Sequence, residues 1–336
     1  MGGIVKLILL YVSAVFGLIY VLIVSGGPIA LIHQLSAVMA GTELGSVQYA
    51  ANGLPDFVTQ ADVLARYMNL TARGAAKDIG SGISLLLGVL STQTYAQAIW
   101  SAKSTQAACR GALLSAVLAP PIGIAGICIG MFMRTHYITQ AEVTALTSAG
   151  LTVPELPILA NTIQVFPAFV TYHMPAWFAG IVLGTLLITV VGGGAGLSLG
   201  MATILVKDIM KKLRFCRIDH PDKELRAVRY VIGASLTAAA AVAVLVPGSM
   251  INDLGFLSMG LRGAVVFLPL TCALWFPGRI HRQYILCSVI LSPLAVLIGK
   301  LLFSELDPLY LGMLVSLLCC VVGSIKKHTA GKLGNT

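Results

Sequence analysis

The chain has seven cysteines and six histidines, the side chains that most often bind metals or take part in catalysis. The cysteines lie mostly in or beside apolar runs, with no Cys-x-x-Cys pair and no cysteine–histidine cluster at metal-site spacing. The segment 196–200 matches the nucleophile elbow Gly-x-Ser-x-Gly, but that motif requires a strand-to-helix turn, and here it lies in a long apolar run. The sequence therefore predicts no catalytic residue, no metal centre and no enzyme activity.

A group of amides and hydroxyls interrupts another apolar run, between positions 88 and 111. Such groups inside a bilayer need partners, which can be protein groups, water or a bound solute. The alternative is hydrogen bonding between helices, usually worth about 1 kcal/mol or less per contact. The polar residues are Ser91, Thr92, Gln93, Thr94, Tyr95 and Gln97.

The stretch Leu183–Lys212 is an apolar run that contains three consecutive glycines and ends in four charged residues. It predicts a membrane-crossing helix with a weak middle. Gly192, Gly196 and Gly200 are four apart and would form a ridge for helix packing. Gly193 and Gly194 lie off that ridge, and each lowers helix stability in water by about 1 kcal/mol relative to alanine. We therefore expect a functional break in this helix.

The composition identifies the class of protein. Hydrophobic residues make up 57% of the 336 residues and charged residues 10%, whereas an ordinary soluble domain has roughly 25% charged residues. This predicts an all-α, polytopic membrane protein with no separate soluble domain. The net charge of +9 lies in alternate loops, where binding to anionic lipid explains it without a nucleic-acid partner.

Hydropathy places about eight transmembrane helices in the chain. Basic connections alternate with acidic or neutral ones, so both termini are predicted to be cytoplasmic, in the cell membrane. The predicted spans are residues 4–25, 79–101, 111–133, 174–206, 228–247, 257–276, 283–303 and 308–325.

The external connections also have local signals. Helical spacing of apolar residues in 56–69 predicts a short surface helix, and a second is predicted after Thr139 as its N-cap. Arg262 and Lys300 fall near predicted span ends, where long side chains extend to the interface. His173 lies at the predicted external mouth.

Several blocks of the chain resemble the sodium:solute symporter family. They are QTYAQAIWSAKSTQAACRG, the ELPILANTIQVFPAFVTYHMPAWF segment before the long span, the Lys-Asp-Ile after it, and GLRGAVVFLPLTCALWFPGR. The resemblance covers nearly the whole chain and lies in the order of the blocks. It implies a partial LeuT-type inverted-repeat fold with substrate and ion near the midplane.

Matching of spans assigns 1–26 to the end of the first repeat and 27–77 to an external connection. Residues 78–276 would form the second repeat and 277–336 the trailing helices, all within one transmembrane domain. Most of the first repeat is then missing. We expect a truncated start, a second polypeptide that supplies the missing half, or a degenerate copy.

The resemblance also assigns sites. Gln93, Tyr95 and Gln97 fall in the family's sixth helix as substrate-contact or gating candidates, with a packed aromatic as the alternative for Tyr95. Counting back from Asp208 puts the family's sodium ligands at Thr189, Gly192 and Gly193, and Ser198 is a further oxygen. Because glycine replaces both hydroxyl residues, sodium coupling is weakened, and proton coupling or uncoupled transport is the alternative.

The predicted function is secondary active transport of a small organic solute by alternating access, without a cofactor beyond a coupling ion, Na⁺ or H⁺. The alternative is a non-transporting remnant, scaffold or sensor subunit.

Overall fold

The computed structural model describes residues 2–51, 59–72, 74–212, 220–245, 251–302 and 306–333. Within these ranges it is almost entirely helical, as the composition predicts. Seven described helices are long and apolar enough to cross a membrane: Gly3–Ser25, Thr105–His136, Ala176–Ile209, Pro221–Leu245, Leu254–Trp275, Arg282–Leu302 and Leu309–Lys326. The chain is therefore an all-α, multi-pass membrane protein.

One predicted span, 79–101, is missing from these seven because it is not one continuous helix. It divides into α5 (Ala75–Leu90) and α6 (Gln93–Trp100), with Ser91 and Thr92 between them. The Thr92 hydroxyl donates to the carbonyl of Gly88 at 2.6 Å, and its N–H donates to Val89 O at 3.1 Å. A side-chain hydrogen bond and a backbone bond to the residue three positions back thus replace the usual bond to the residue four positions back, and α5 ends here.

The helices form two compact units. The first unit is Met1–Met68 with Ala102–Gly248, and the second unit is Asn69–Ser101 with Ser249–Thr336. The first contains α1 (Gly2–Ser25), α2 (Pro28–Met39), α3 (Glu43–Ala51), α4 (Gln60–Tyr67), α7 (Thr105–His136), α8 (Gln140–Ser148), α9 (Val165–His173), α10 (Ala176–Thr203) and α11 (Pro221–Leu245), with the short parallel strands β1 (Ile138–Thr139) and β2 (Ile158–Leu159).

A single apolar core joins α1, α7, α9 and α10 in the first unit. Phe132 and Phe169 are almost fully buried at its centre, with Val21, Val170 and Val182 around them. The aromatic rings meet edge to face, with the centroids of Phe132 and Phe169 6.0 Å apart. This core fixes the C-terminal ends of α1 and α7 and the N-terminal end of α10 relative to α9.

Both predicted short helices are present, with positions 56–58 of the first outside the described residues, and caps define their starts. Thr59 precedes α4, where its N–H donates to the Asp62 carboxylate at 2.9 Å and its hydroxyl accepts from Asp62 N. Thr139 precedes α8, and its N–H donates to Glu142 at 3.0 Å. The N-cap assigned to Thr139 from sequence is thus confirmed.

The expected break at the glycines of α10 is wrong, because α10 continues without interruption through Gly192–Gly194. A Cβ added at Gly193, Gly194 or Gly196 would have no described atom within 4 Å, so the expected packing ridge is absent at Gly196. The irregularity lies later, where a π-helical turn at Ile204–Ile209 follows α10.

The second unit contains α5, α6, α12 (Ile251–Trp275), α13 (Arg282–Leu302) and α14 (Leu309–Leu333). Small residues bring its helices close together. A Cβ at Gly312 of α14 would collide with the Val296 side chain and stand 2.9 Å from Ala264 Cβ. Leu87, Ala264, Val296 and Leu309 form the buried apolar cluster of this unit.

Candidate functional site

The break between α5 and α6, defined here as Ser91 and Thr92, is organised around the Thr92 side chain, which is 5% exposed. The carbonyl of Thr92 also accepts the first hydrogen bonds of α6, from Tyr95 N at 3.2 Å and Ala96 N at 3.3 Å. Thr92 therefore ends one helix through its hydroxyl and N–H and begins the next through its carbonyl.

A guanidinium completes the site. Arg262 of α12 donates from Nη1 to Thr92 Oγ1 at 2.8 Å, from Nη2 to Ser258 Oγ at 2.7 Å and from Nε to Ser258 O at 3.1 Å. It lies eight residues inside the candidate span that begins at Leu254, a distance of about 12 Å along a helix. The structure thus turns this side chain toward the break, not toward the end of the span.

Glycine positions explain how α12 comes so close to α5. A Cβ at Gly88 would stand 2.5 Å from Met259 Cβ and 2.8 Å from Met259 O, and one at Gly263 would stand 3.0 Å from Leu87 Cβ. The two backbones are therefore in direct contact one turn before the break. This contact places Arg262 within reach of Thr92.

Of the three substrate-contact candidates, the structure brings one to the break. Gln93 follows Thr92 directly, and its Oε1 is buried with no hydrogen-bond partner among the residues that the structure describes. Tyr95 is 49% exposed, which argues against the packed-aromatic alternative. The side chain of Gln97 lies outside the part of the chain that the structure describes.

A buried carboxylate was missed by sequence reasoning, which treated Asp307 only as part of an acidic loop. Asp307 is 7% exposed and accepts from Ser81 Oγ at 3.1 Å, from Ser84 Oγ at 2.9 Å and from Leu309 N at 2.9 Å. The two serines are three apart in α5 and so share a face. Two signals were available in the sequence: the spacing of the two serines on one helix face, and the Asp307-Pro308 pair, which is typical of a helix start. The bonds tie the start of α14 to α5.

Of the predicted ion ligands of α10, Gly192 and Gly193 lie within about one turn of Thr189, whereas Ser198 lies apart from it. The Thr189 hydroxyl donates to Thr185 O at 2.7 Å and the Ser198 hydroxyl to Ala195 O at 3.1 Å. Ser198 comes nine positions after Thr189 in α10, about 13.5 Å along the axis and half a turn around it. Gly192 and Gly193 are exposed in α10, and the Lys6 ammonium lies 3.7 Å from where a Gly192 Cβ would be.

His173 at the end of α9 belongs to an aromatic cluster of the first unit. Its Nδ1 lies 3.4 Å from Tyr20 OH and its Nε2 3.2 Å from Tyr137 OH. Burial, and then the neighbouring His136, lower the pKa of His173 below its usual value of 6.5. The imidazole is therefore neutral at neutral pH.

Comparison with known proteins gives no assignment: no protein-family model matches the chain, and no curated protein matches it. The residues that bear on function are therefore those at the α5–α6 break and those of α10.

Proposed function

We propose that this protein is a secondary transporter that moves a small organic solute across the membrane by alternating access. The observation that carries the proposal is the α5–α6 break, where Gln93 Oε1 is buried without a described partner and Arg262 reaches into the site. Discontinuous helices with polar groups at membrane depth are typical of solute sites in transporters.

The physical reason is the requirement for hydrogen bonding in lipid. A spanning segment that leaves backbone groups unpaired in hydrocarbon loses several kcal/mol per group, so irregular backbone occurs where protein or a water-filled cavity satisfies it. Thr92 and Arg262 satisfy part of the break. An acceptor that stays unpartnered beside them favours a path that water or solute enters.

The geometry of α10 also bears on the coupling ion. Sodium prefers several oxygen ligands, but the hydroxyls of Thr189 and Ser198 donate to their own helix and face opposite sides. We therefore propose that α10 does not hold a sodium ion, and that transport is coupled to protons or is uncoupled. Replacing sodium with choline should leave uptake unchanged, whereas a loss of uptake would contradict this part of the proposal.

Alternating access can be tested before the solute is known. Gln93→Cys, in a background with the natural cysteines replaced, should react with a water-soluble methanethiosulfonate in both right-side-out and inside-out vesicles. The matched control is Leu294→Cys, an exposed apolar position in the middle of α13, which should not react from either side.

The outcomes separate the candidate functions. Labelling of Gln93→Cys from both sides supports alternating access, because only a site that opens to each side in turn meets both reagents. Labelling from one side alone would favour a non-transporting membrane protein, and no labelling from either side would remove the solute path altogether.

A further inference from the structure

We propose that the α5–α6 break binds the carboxylate group of a small organic solute through Arg262. This inference rests on the proposed function in that it takes the break to be the solute site. It adds the chemical class of the solute and the residue that selects it.

The charge of Arg262 has no anionic partner in the described part of the chain. Its hydrogen bonds there go to one backbone carbonyl and two hydroxyls, those of Ser258 and Thr92, and none of these carries a negative charge. The end of α5 supplies only the partial charge of a helix terminus, about half an elementary charge. A guanidinium within a span is therefore left with net positive charge, which favours an anion from outside the chain.

Asp307, the buried carboxylate of the same unit, does not fill this role. Its oxygens accept from Ser81, Ser84 and Leu309 N. Ser84 and Thr92 are eight residues apart along α5, about 12 Å in a helix. Asp307 is therefore bound two turns away from the guanidinium.

The donor geometry suits a carboxylate. Arginine has five N–H donors in a planar fork, and the bonds to Thr92 and Ser258 use three of them. The remaining donors can bind a carboxylate with charge-assisted hydrogen bonds, which are shorter and stronger than neutral ones. Thr92 and Ser258 hold the fork in place, so little ordering is needed when the anion binds.

Gln93 adds a requirement for the rest of the solute. Its buried Oε1 is an acceptor next to Thr92 and has no described partner. A hydroxyl or ammonium group beside the carboxylate would donate to it, whereas a plain alkyl acid would leave it unpaired. The site therefore fits a small hydroxy acid or amino acid better than a simple fatty acid.

The test compares each carboxylate with the amide that lacks its negative charge. The full-length protein in phosphatidylcholine nanodiscs would be titrated with lactate, alanine, lactamide, alaninamide and propionate, and binding followed by the shift in apparent Tm. We expect lactate or alanine to bind at least about tenfold more tightly than its amide, and propionate to bind more weakly than lactate. Equal binding of acid and amide, or no binding of either acid, overturns the inference.

Variants assign the effect to Arg262. Arg262→Gln should weaken carboxylate binding at least about tenfold, and Arg262→Lys should restore part of it because the charge remains without the fork. Lys300→Gln removes an equal charge from an exposed position of the same unit and should change nothing. If Arg262→Gln fails to fold, the comparison of acid with amide in the unmodified protein still decides the question.

A lipid control separates a solute from a lipid headgroup. Adding phosphatidylglycerol to the nanodiscs should not abolish carboxylate binding. If the lipid alone produces the Arg262-dependent shift in apparent Tm, the anion is a headgroup and the inference is wrong.

Counterflow in proteoliposomes separates carboxylate binding from transport. Carboxylate binding without counterflow contradicts the transport function alone, whereas counterflow of the amides alone contradicts the anion inference alone.

Discussion

Gly88→Ala tests whether the contact between α5 and α12 positions the site. The new Cβ would stand 2.5 Å from Met259 Cβ, 2.7 Å from Met259 Cα and 2.8 Å from Met259 O. Carbon atoms pack best at about 3.5–4.0 Å, so the helices must separate by about 1 Å. Because two of the three atoms are backbone, no change of rotamer relieves the overlap.

The separation should also stretch the bond from Arg262 Nη1 to Thr92 Oγ1 beyond its present 2.8 Å, and a hydrogen bond weakens beyond about 3.2 Å. Overpacking typically costs about 1–3 kcal/mol, and a bond to a charged group contributes about 1.5–3 kcal/mol. Since these terms are not additive, we expect Gly88→Ala to lower the free energy of unfolding by about 2–4 kcal/mol.

The matched control is Gly82→Ala in the same helix, where a Cβ would meet no atom within 4 Å. Alanine is the better helix former by about 1 kcal/mol, so this variant should be as stable as the unmodified protein or slightly more stable. The assay is the apparent Tm in detergent at one fixed scan rate, followed by tryptophan fluorescence. If the two variants melt together, the close contact is not a structural constraint and the placement of Arg262 loses its basis.

Three other predictions concern residues outside the break. Asp307→Ala should lower the free energy of unfolding by about 2–4 kcal/mol, because two serine hydroxyls and one backbone N–H lose their acceptor. Asp307→Asn should lower it less, and an apparent Tm of Asp307→Ala equal to that of the unmodified protein would contradict this. The lowered pKa of His173 means that the unfolded chain binds the proton more readily, so stability should fall as the pH drops below about 6.5. His173→Gln should flatten that part of the stability curve measured from pH 7 downward, and an unchanged slope would exclude His173 as its cause. Thr139→Ala should cost up to about 1 kcal/mol by removing the hydroxyl half of the α8 capping box, while the bond from the N–H of residue 139 to Glu142 remains. The loss should appear as faster proteolysis at α8 than in Thr144→Ala, which leaves both halves of the box intact.

Features that depend on near neighbours in the chain were predictable from the sequence. Hydropathy alone locates seven of the spans, since a helix needs about 20 apolar residues to cross a bilayer. The cap at Thr139 was predictable because its partner, Glu142, is only three positions away. The candidate site was predictable in part, because polar residues inside an apolar run already marked the region of Gln93.

The rest of the site depends on contacts that no local pattern contains. Arg262 and Thr92 are 170 positions apart, and Asp307 and Ser81 are 226 positions apart. From the sequence, Arg262 looked like an interfacial side chain and Asp307 like an ordinary loop residue. Only the packing of α5 against α12 and α14 gives either one its partners.

The location of the break follows from the same physics. Glycine weakens a helix in water because the unfolded backbone gains entropy and bonds to solvent, but a bilayer offers the backbone no such alternative. Gly192–Gly194 therefore remain helical in α10. At Thr92 the backbone has other hydrogen-bond partners, because the Thr92 hydroxyl donates to the Gly88 carbonyl and Arg262 donates to that hydroxyl in turn. In this chain the helix breaks where side chains replace its hydrogen bonds, so the run of hydroxyls and amides marked the break and the glycine run did not.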